Sequence, residues 1–261
     1  MNTDPRERSR LYDEPAVYDL LSPWPIDDEV NGWLDVAEQH IVRAVTSLLD
    51  PSCGSGRILE AFAQQGVASV GIDLSPAMVA YCGTRFQDMP LATATAGDMR
   101  AFDLHCTFDL AVQAVNSFRL LTADDDVRSH LACMRRHLPR GVYIIELWLQ
   151  GANGNIPFRG QEWNEQRDDV SATVWYGVER VDNTARRVYE RACIDFQNSG
   201  RVGHIDELTE MRLWHAEELE QFVADQGAFR LKEWRDTAFA PLSTVQLVAG
   251  TPHTFAVLVP A

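Results

Sequence analysis

From residue 44 to residue 148 the chain alternates short apolar runs with amphipathic stretches, and this alternation limits the fold more than any other feature. Strands are predicted at 44–49, 67–72, 92–96, 108–114 and 142–148. Each is short and apolar enough to be buried on both faces. Helices are predicted between them. One runs over 57–65 and ends on Gly66, which can take the left-handed position after a helix. Another opens on Ser75-Pro76, a side-chain cap followed by proline at the first helical position. A third opens where Thr122 and Asp125 have capping-box spacing and closes at Pro139 and Gly141. Strands separated by helices of this length pair in parallel, with helices on both faces of the sheet.

The flanks read differently. Residues 1–43 combine a polar, proline-dotted stretch carrying Tyr12, Tyr18 and Trp24 with a helix over about 29–43. Residues 44–150 form the alternating core. Residues 151–214 form an insert, with 153–169 loop-like, a hairpin of 173–181 and 187–196 around Asp182-Asn183-Thr184, and a third strand at 210–214. Residues 215–261 supply a helix over 216–226, ended by Gly227, and two closing strands at 229–236 and 254–259.

The formal net charge is −15. Phosphate contacts drive nucleic-acid affinity, so this balance argues against DNA or RNA as a partner. No apolar run reaches the length of a membrane span, and 1–10 lacks the apolar centre of a secretion signal; no membrane and a cytoplasmic location are expected. Five cysteines, widely spaced and without C-x-x-C, suggest neither a disulfide framework nor a metal site, and buried reduced thiols are expected. Oligomeric state is not legible.

Three strand ends carry candidate chemistry. Asp50-Pro51-Ser52-Cys53-Gly54-Ser55-Gly56-Arg57 joins a strand to a helix, and its glycines let backbone pass close to a ligand while the helix N-terminus offers free N–H groups. Asp73 ends the next strand, where a carboxylate can accept both hydroxyls of a ribose at the carboxyl edge of an open sheet. Gly97-Asp98-Met99 follows the third strand, with Asp98 placed for an adenine amino group and Met99 for its ring. A dinucleotide fingerprint needs a third glycine where Leu59 stands.

These residues together resemble the class I S-adenosylmethionine (SAM)-dependent methyltransferases. The resemblance runs through Leu48-Leu49-Asp50, Gly54-Ser55-Gly56, Gly71-Ile72-Asp73-Leu74-Ser75-Pro76-Ala77-Met78, Gly97-Asp98-Met99, Phe108-Asp109-Leu110 and Asn116-Ser117-Phe118. It implies an α/β, Rossmann-like, seven-stranded, mostly parallel sheet with an antiparallel last strand, and a small antiparallel β insert covering the active site. By matching position it places SAM on Asp50, Ser52, Cys53, Gly54 and Gly56 for the methionine part, and on Asp73, Leu74 and Met78 around the ribose. Asp98 and Met99 would frame adenine, Ala114 to Asn116 would border the sulfonium, and Tyr18 would belong to an N-terminal lid. The family usually has glycine where Ser52 stands. Asp50-Pro51 also echoes DNA amino-methylating enzymes, but Val115-Asn116-Ser117-Phe118 lacks the prolines of their signature.

The activity implied is methyl transfer to a nitrogen or oxygen of a small-molecule acceptor. Glu146 and His204 are the candidate bases. Arg119 is the candidate anion binder. Trp148 and Trp175, with Trp163 and Trp214, are candidate pocket walls. No metal is implied. A SAM-binding protein without transfer, or a nucleotide-dependent oxidoreductase, are the competing readings.

Overall fold

The computed structural model describes residues 10–151, 160–243, 246–247 and 253–261. A 3₁₀ turn at Arg10–Asp13 leads into the short helix α1 (Pro15–Leu20) and then α2 (Asp27–Ile41). The alternating core follows as β1 (Ser47–Asp50), α3 (Arg57–Gln64), β2 (Ala68–Asp73), α4 (Pro76–Arg85), β3 (Ala92–Ala96), β4 (Leu110–Gln113), α5 (Asp124–His137) and β5 (Val142–Leu147). The insert comprises β6 (Gly160–Arg167), β7 (Val170–Asp182), β8 (Arg187–Asn198) and β9 (Arg201–Arg212). Helix α6 (Ala216–Gln226), β10 (Phe229–Arg235) and β11 (Thr254–Pro260) close the chain.

Seven strands form one sheet in the order β10-β11-β5-β4-β1-β2-β3. All neighbours pair in parallel except β11, which runs antiparallel to both β5 and β10. The order reverses between β1 and β4, so the helices leaving these strands depart to opposite faces and open a crevice at the carboxyl edge. Strand alternation divides the core. Tyr143, Ile145 and Leu147 of β5 pack with α5 and α6 on one face, while Val142 and Ile144 pack with α2 and α3 on the other.

Ser75 caps α4 as its sequence suggests, its Oγ accepting from Met78 N at 3.3 Å. The capping box expected at Thr122 does not form. Helix α5 starts after Ala123 with no side-chain cap. Its first turn instead carries Asp124, Asp125 and Asp126 and its last Arg135, Arg136 and His137, an arrangement that opposes the helix dipole at both ends.

The insert is a four-stranded antiparallel sheet in the order β6-β7-β8-β9. Two expectations are corrected here. Part of the stretch read as loop is the strand β6, and the third insert strand begins at Arg201, not at 210. Ala172, Val174, Ile194, Phe196 and Ile205 form its inner face and pack on Val17 and Leu20 of α1. Of the cysteines, Cys53, Cys82 and Cys133 are buried, but Cys106 is exposed and Cys193 half-buried. No helix among the described residues is long and apolar enough to cross a membrane.

Candidate functional site

The turn after β1 has little freedom. Cys53 N donates to Ile72 O and Gly56 N to Cys53 O, both at 2.9 Å. Gly54 and Gly56 have φ of 52° and 81°, the left-handed region that favours glycine. A Cβ on Gly56 would stand 2.5 Å from the Phe86 ring and 2.8 Å from Cys82 Sγ, and one on Gly54 would stand 3.0 Å from the Tyr18 ring. The turn is therefore pressed between α4 below and the Tyr18 ring above.

Two carboxylates face this turn. Asp73 accepts from Gly54 N and from Ser75 N, each at 2.8 Å, one per oxygen. Each oxygen keeps a further lone pair for a diol. Burial raises its pKa, against these two N–H donors that favour the charge. Asp50 is 2% exposed and accepts from Ser52 N at 3.0 Å. Burial, with the nearby Asp73 charge, pushes Asp50 up to about 7. A buried carboxylate held by one N–H is a site prepared for a cation.

Ser52 is tied into a largely buried polar row. The Gln113 amide lies 3.3 Å from Ser52 Oγ and contacts the Tyr143 hydroxyl. His130 Nε2 lies 2.6 Å from that hydroxyl, and His130 Nδ1 lies 2.8 Å from Met99 O. Burial lowers the His130 pKa to about 4, so the ring is neutral and carries one N–H. With that N–H on Met99 O, the Tyr143 hydroxyl donates to His130. A half-turn of the Gln113 amide then gives an N–H to the Tyr143 hydroxyl and accepts from the Ser52 hydroxyl, at the cost of the Gln113 contact to Met99 Sδ. The row joins the turn to the Gly97-Asp98-Met99 end of the crevice.

The other expected cofactor residues fall as follows. Cys53 is buried under the turn, and Met78 is buried where α4 begins. Leu74 is 58% exposed at the rim. Asp98 is engaged by Arg100 through three side-chain contacts of 2.6–3.0 Å, and this hydrogen bonding lowers its pKa.

Helix α1 packs over this crevice, with Tyr18 in its lining. Tyr12 and Tyr18 pack with ring centroids 5.5 Å apart, and Ser75 Oγ donates to Tyr12 O at 2.7 Å. Burial, then the Asp73 charge, raises Tyr12 to about 12; burial, then Tyr12, raises Tyr18. Asp19, fully buried, accepts from Ser55 Oγ at 2.7 Å, Arg85 Nη2 at 2.8 Å and Arg167 Nη2 at 2.5 Å. One carboxylate of α1 thus holds the turn, α4 and the insert together. With Tyr18 in place, the cavity lined by Tyr18, Asp50, Ser52, Ala114, Val115 and Ser117 measures about 30 Å³. Small-molecule sites generally measure about 300 Å³ or more, so the crevice with Tyr18 in this position is smaller than such a site. A larger groove of about 530 Å³ between α6 and β10, lined by residues such as Glu220, Arg230 and Trp234, holds none of these groups.

Beyond β4 the backbone is strained. Val115 and Asn116 have φ of 54° and 60°. Asn116 Oδ1 accepts from Trp148 N at 2.7 Å, and Val115 N donates to Glu146 Oε2 at 2.7 Å. The second Glu146 oxygen lies 2.7 Å from His253 Nδ1, and the His253 ring meets the Trp148 ring edge-on at 5.1 Å. His253, Gln113 and Asp19 are absent from the sequence-based site. Gln113 sits in an apolar run, and His253 is brought to Glu146 only by strand pairing across 107 residues.

Four expectations fail here. His204 and Trp175 lie on the outer face of the insert, opposite α1. Alternation along β7 and β9 points them there, and His204 pairs with Asp195 at 2.7 Å in solvent. Trp214 is a core residue at 0% exposure, packed on Phe118 and Phe222. Arg119 is not a free cation. Its Nη2 pairs with Glu190 at 3.1 Å and its Nε donates to Arg212 O at 3.1 Å, while Glu190 also takes the Tyr176 hydroxyl. Trp163 is half-buried against the inner face, and Trp148 lies 6.0 Å from the Arg119 guanidinium.

Residues 48–141 match a family model described as a methyltransferase domain. A curated relative from Streptomyces venezuelae, dTDP-3-amino-3,4,6-trideoxy-alpha-D-glucopyranose N,N-dimethyltransferase, is 33% identical over 141 residues, 52% of this chain and 57% of the relative. A second, from Saccharopolyspora spinosa, dTDP-4-amino-2,3,4,6-tetradeoxy-D-glucose N,N-dimethyltransferase, is 37% identical over 103 residues, 39% of this chain and 40% of the relative. The chain thus spans about half the length of these curated relatives. Among solved structures, Streptomyces venezuelae DesVI superposes with a TM-score of 0.73 at 24% identity, covering 95% of this chain and 98% of that one.

Proposed function

We propose that this chain, whose residues 48–141 match the model of a methyltransferase domain, moves a methyl group from SAM to a nitrogen of a small-molecule amine, an amino sugar carried on a nucleotide being the class that fits best. When bound, SAM supplies a methyl group made electrophilic by its sulfonium. The observation that carries the reading is the pair of carboxylates at the turn. Asp50, buried and short of partners, suits the ammonium of a methionine moiety, and Asp73, braced by two backbone N–H groups, suits a ribose diol. Gly54 and Gly56 let backbone lie against the ligand, and Tyr18 closes over it. Ser52 fits in place of glycine because Gln113 holds its hydroxyl.

The chain's remaining work is orientation. Trp148 would wall the acceptor, and Arg119 keeps one donor, Nη1, without a partner among the described residues. The N,N-dimethyltransferase relatives act on dTDP-linked amino sugars, which supports nitrogen over oxygen. The test is calorimetry with SAM, S-adenosylhomocysteine, NAD and NADP, followed by mass spectrometry of dTDP-amino sugars incubated with SAM. Binding of the two SAM-type ligands alone, and one or two methyl groups added to the sugar nitrogen, is the expected result. Binding of nicotinamide nucleotides instead defeats the reading, as does SAM binding without transfer to any amine.

A further inference from the structure

Glu146 is the last residue but one of β5, which pairs with β11, and the register Phe255↔Glu146 and Thr254↔Leu147 sets His253 at the same edge. One carboxylate then spans two roles. Its Oε2 takes the N–H of Val115, a wall of the cavity that Tyr18 and Asp50 also line, and its Oε1 takes His253 Nδ1, each at 2.7 Å. The imidazole is therefore one carboxylate away from the cavity wall. Glu146 is nearly enclosed, its side chain 13% exposed, while His253 is 47% exposed. With Nδ1–H given to Glu146, Nε2 keeps its lone pair for a proton. His253 and Val115 both hold left-handed backbone, φ 50° and 54°, a conformation non-glycine residues keep when the surroundings enforce it. The Trp148 ring packs against the imidazole and fixes its plane.

We infer that His253 is the proton acceptor of the reaction and that Glu146 is a positioning residue acting through it; this rests on the proposed transfer to nitrogen. Each turnover forms one N–C bond, breaks one C–S bond with its electron pair returning to sulfur, and leaves one surplus proton on the amine. Nε2 of His253 takes that proton, and Glu146 supports the charge that results. Glu146 is the charged group in contact with His253, and Arg119, paired to Glu190, lies 6.0 Å from the Trp148 ring that packs on the imidazole.

The test compares wild type, H253N, H253A and E146Q with SAM and dTDP-3-amino-3,6-dideoxy-α-D-glucopyranose, extended to a panel of other amino sugars. Rate against pH, SAM affinity by calorimetry and the His253 tautomer by ¹⁵N NMR are measured. Wild type is expected to lose rate as the solution is made acidic and to show the Nδ1–H tautomer. H253N is expected to lose about 100-fold in kcat, keep SAM affinity within about twofold and lack the acidic limb, while imidazole partly restores H253A. E146Q is expected to lose about tenfold and to mix the tautomers. An H253N rate within about threefold of wild type with the same acidic limb overturns the inference alone, and so does an Nε2–H tautomer in wild type. A wild type that binds SAM and methylates no amine overturns the parent reading, and this one with it.

Discussion

Asp50 shows how a single residue can set the pH range of a site. In the fold its protonated form is favoured, with a pKa of about 7 against 3.8 for the unfolded chain. The stability tied to that proton is present below about pH 4 and is lost as pH rises through 7. A bound ammonium reverses the preference, so SAM should bind as Asp50 gives up its proton. Between pH 7 and 5.5 the affinity of wild type for SAM is expected to fall about 15-fold in all, with nearly one proton released per SAM bound at pH 6. D50N should bind weakly at every pH and, without ligand, be the more thermostable protein at pH 7.5. Calorimetry in buffers of different ionisation enthalpy checks this; a wild-type affinity flat from 5.5 to 7.5 sinks it. Asp50, Gly54, Gly56 and Asp73 were legible in the sequence because the turn is a local device, with glycines and acids at fixed spacing around one strand end. His253, Gln113 and Glu190 were not, because each reaches its partner through strand pairing or packing across a long stretch of chain.

At the scale of elements, the strands and helices of the core were readable because burial on both faces leaves apolar runs that helices interrupt. The insert was readable only in part. β6, Gly-Gln-Glu-Trp-Asn-Glu-Gln-Arg, is a largely exposed edge strand with almost no apolar alternation, and what makes it a strand is pairing with β7. The seat of α1 depends on Asp19. Burial works against its charge, but the Ser55 hydroxyl and the Arg85 and Arg167 guanidiniums outweigh burial and lower its pKa. Its contribution is therefore present above about pH 4 and lost as pH falls further. Removing one partner of a buried ion pair costs about 3–5 kcal/mol, and the lower end applies because Arg167 is half exposed. In D19A, amide exchange across α1 is expected to speed up about 100-fold, and SAM to dissociate faster, while exchange in β4 and β5 stays as it was. Unchanged exchange in residues 15–20 would show that packing of Val17 and Leu20 holds α1 without the ion cluster.

The whole molecule is two sheets, and a buried ion pair bridges them. Arg119 follows β4 in the core, Glu190 lies on β8 of the insert, and each side chain is 2% exposed. Tyr176 of β7 donates to the same carboxylate, and Arg212 at the end of β9 offers its carbonyl to Arg119. A pair so placed need not add net stability, because two charges have lost their water. It fixes which face of the insert meets the core, since a one-residue slip of β8 would turn Glu190 to solvent. R119M leaves a carboxylate buried without its cation and is expected to cost about 3–5 kcal/mol, whereas R119M/E190M should recover most of that loss. Urea unfolding followed by tryptophan fluorescence and by far-ultraviolet circular dichroism measures both variants against E190M. Coincident transitions in wild type that separate in R119M would show the insert losing its hold while the core stays folded. A double variant as unstable as R119M would mean instead that methionine cannot fill the space, and that the shape of this contact, rather than its charge, joins the sheets.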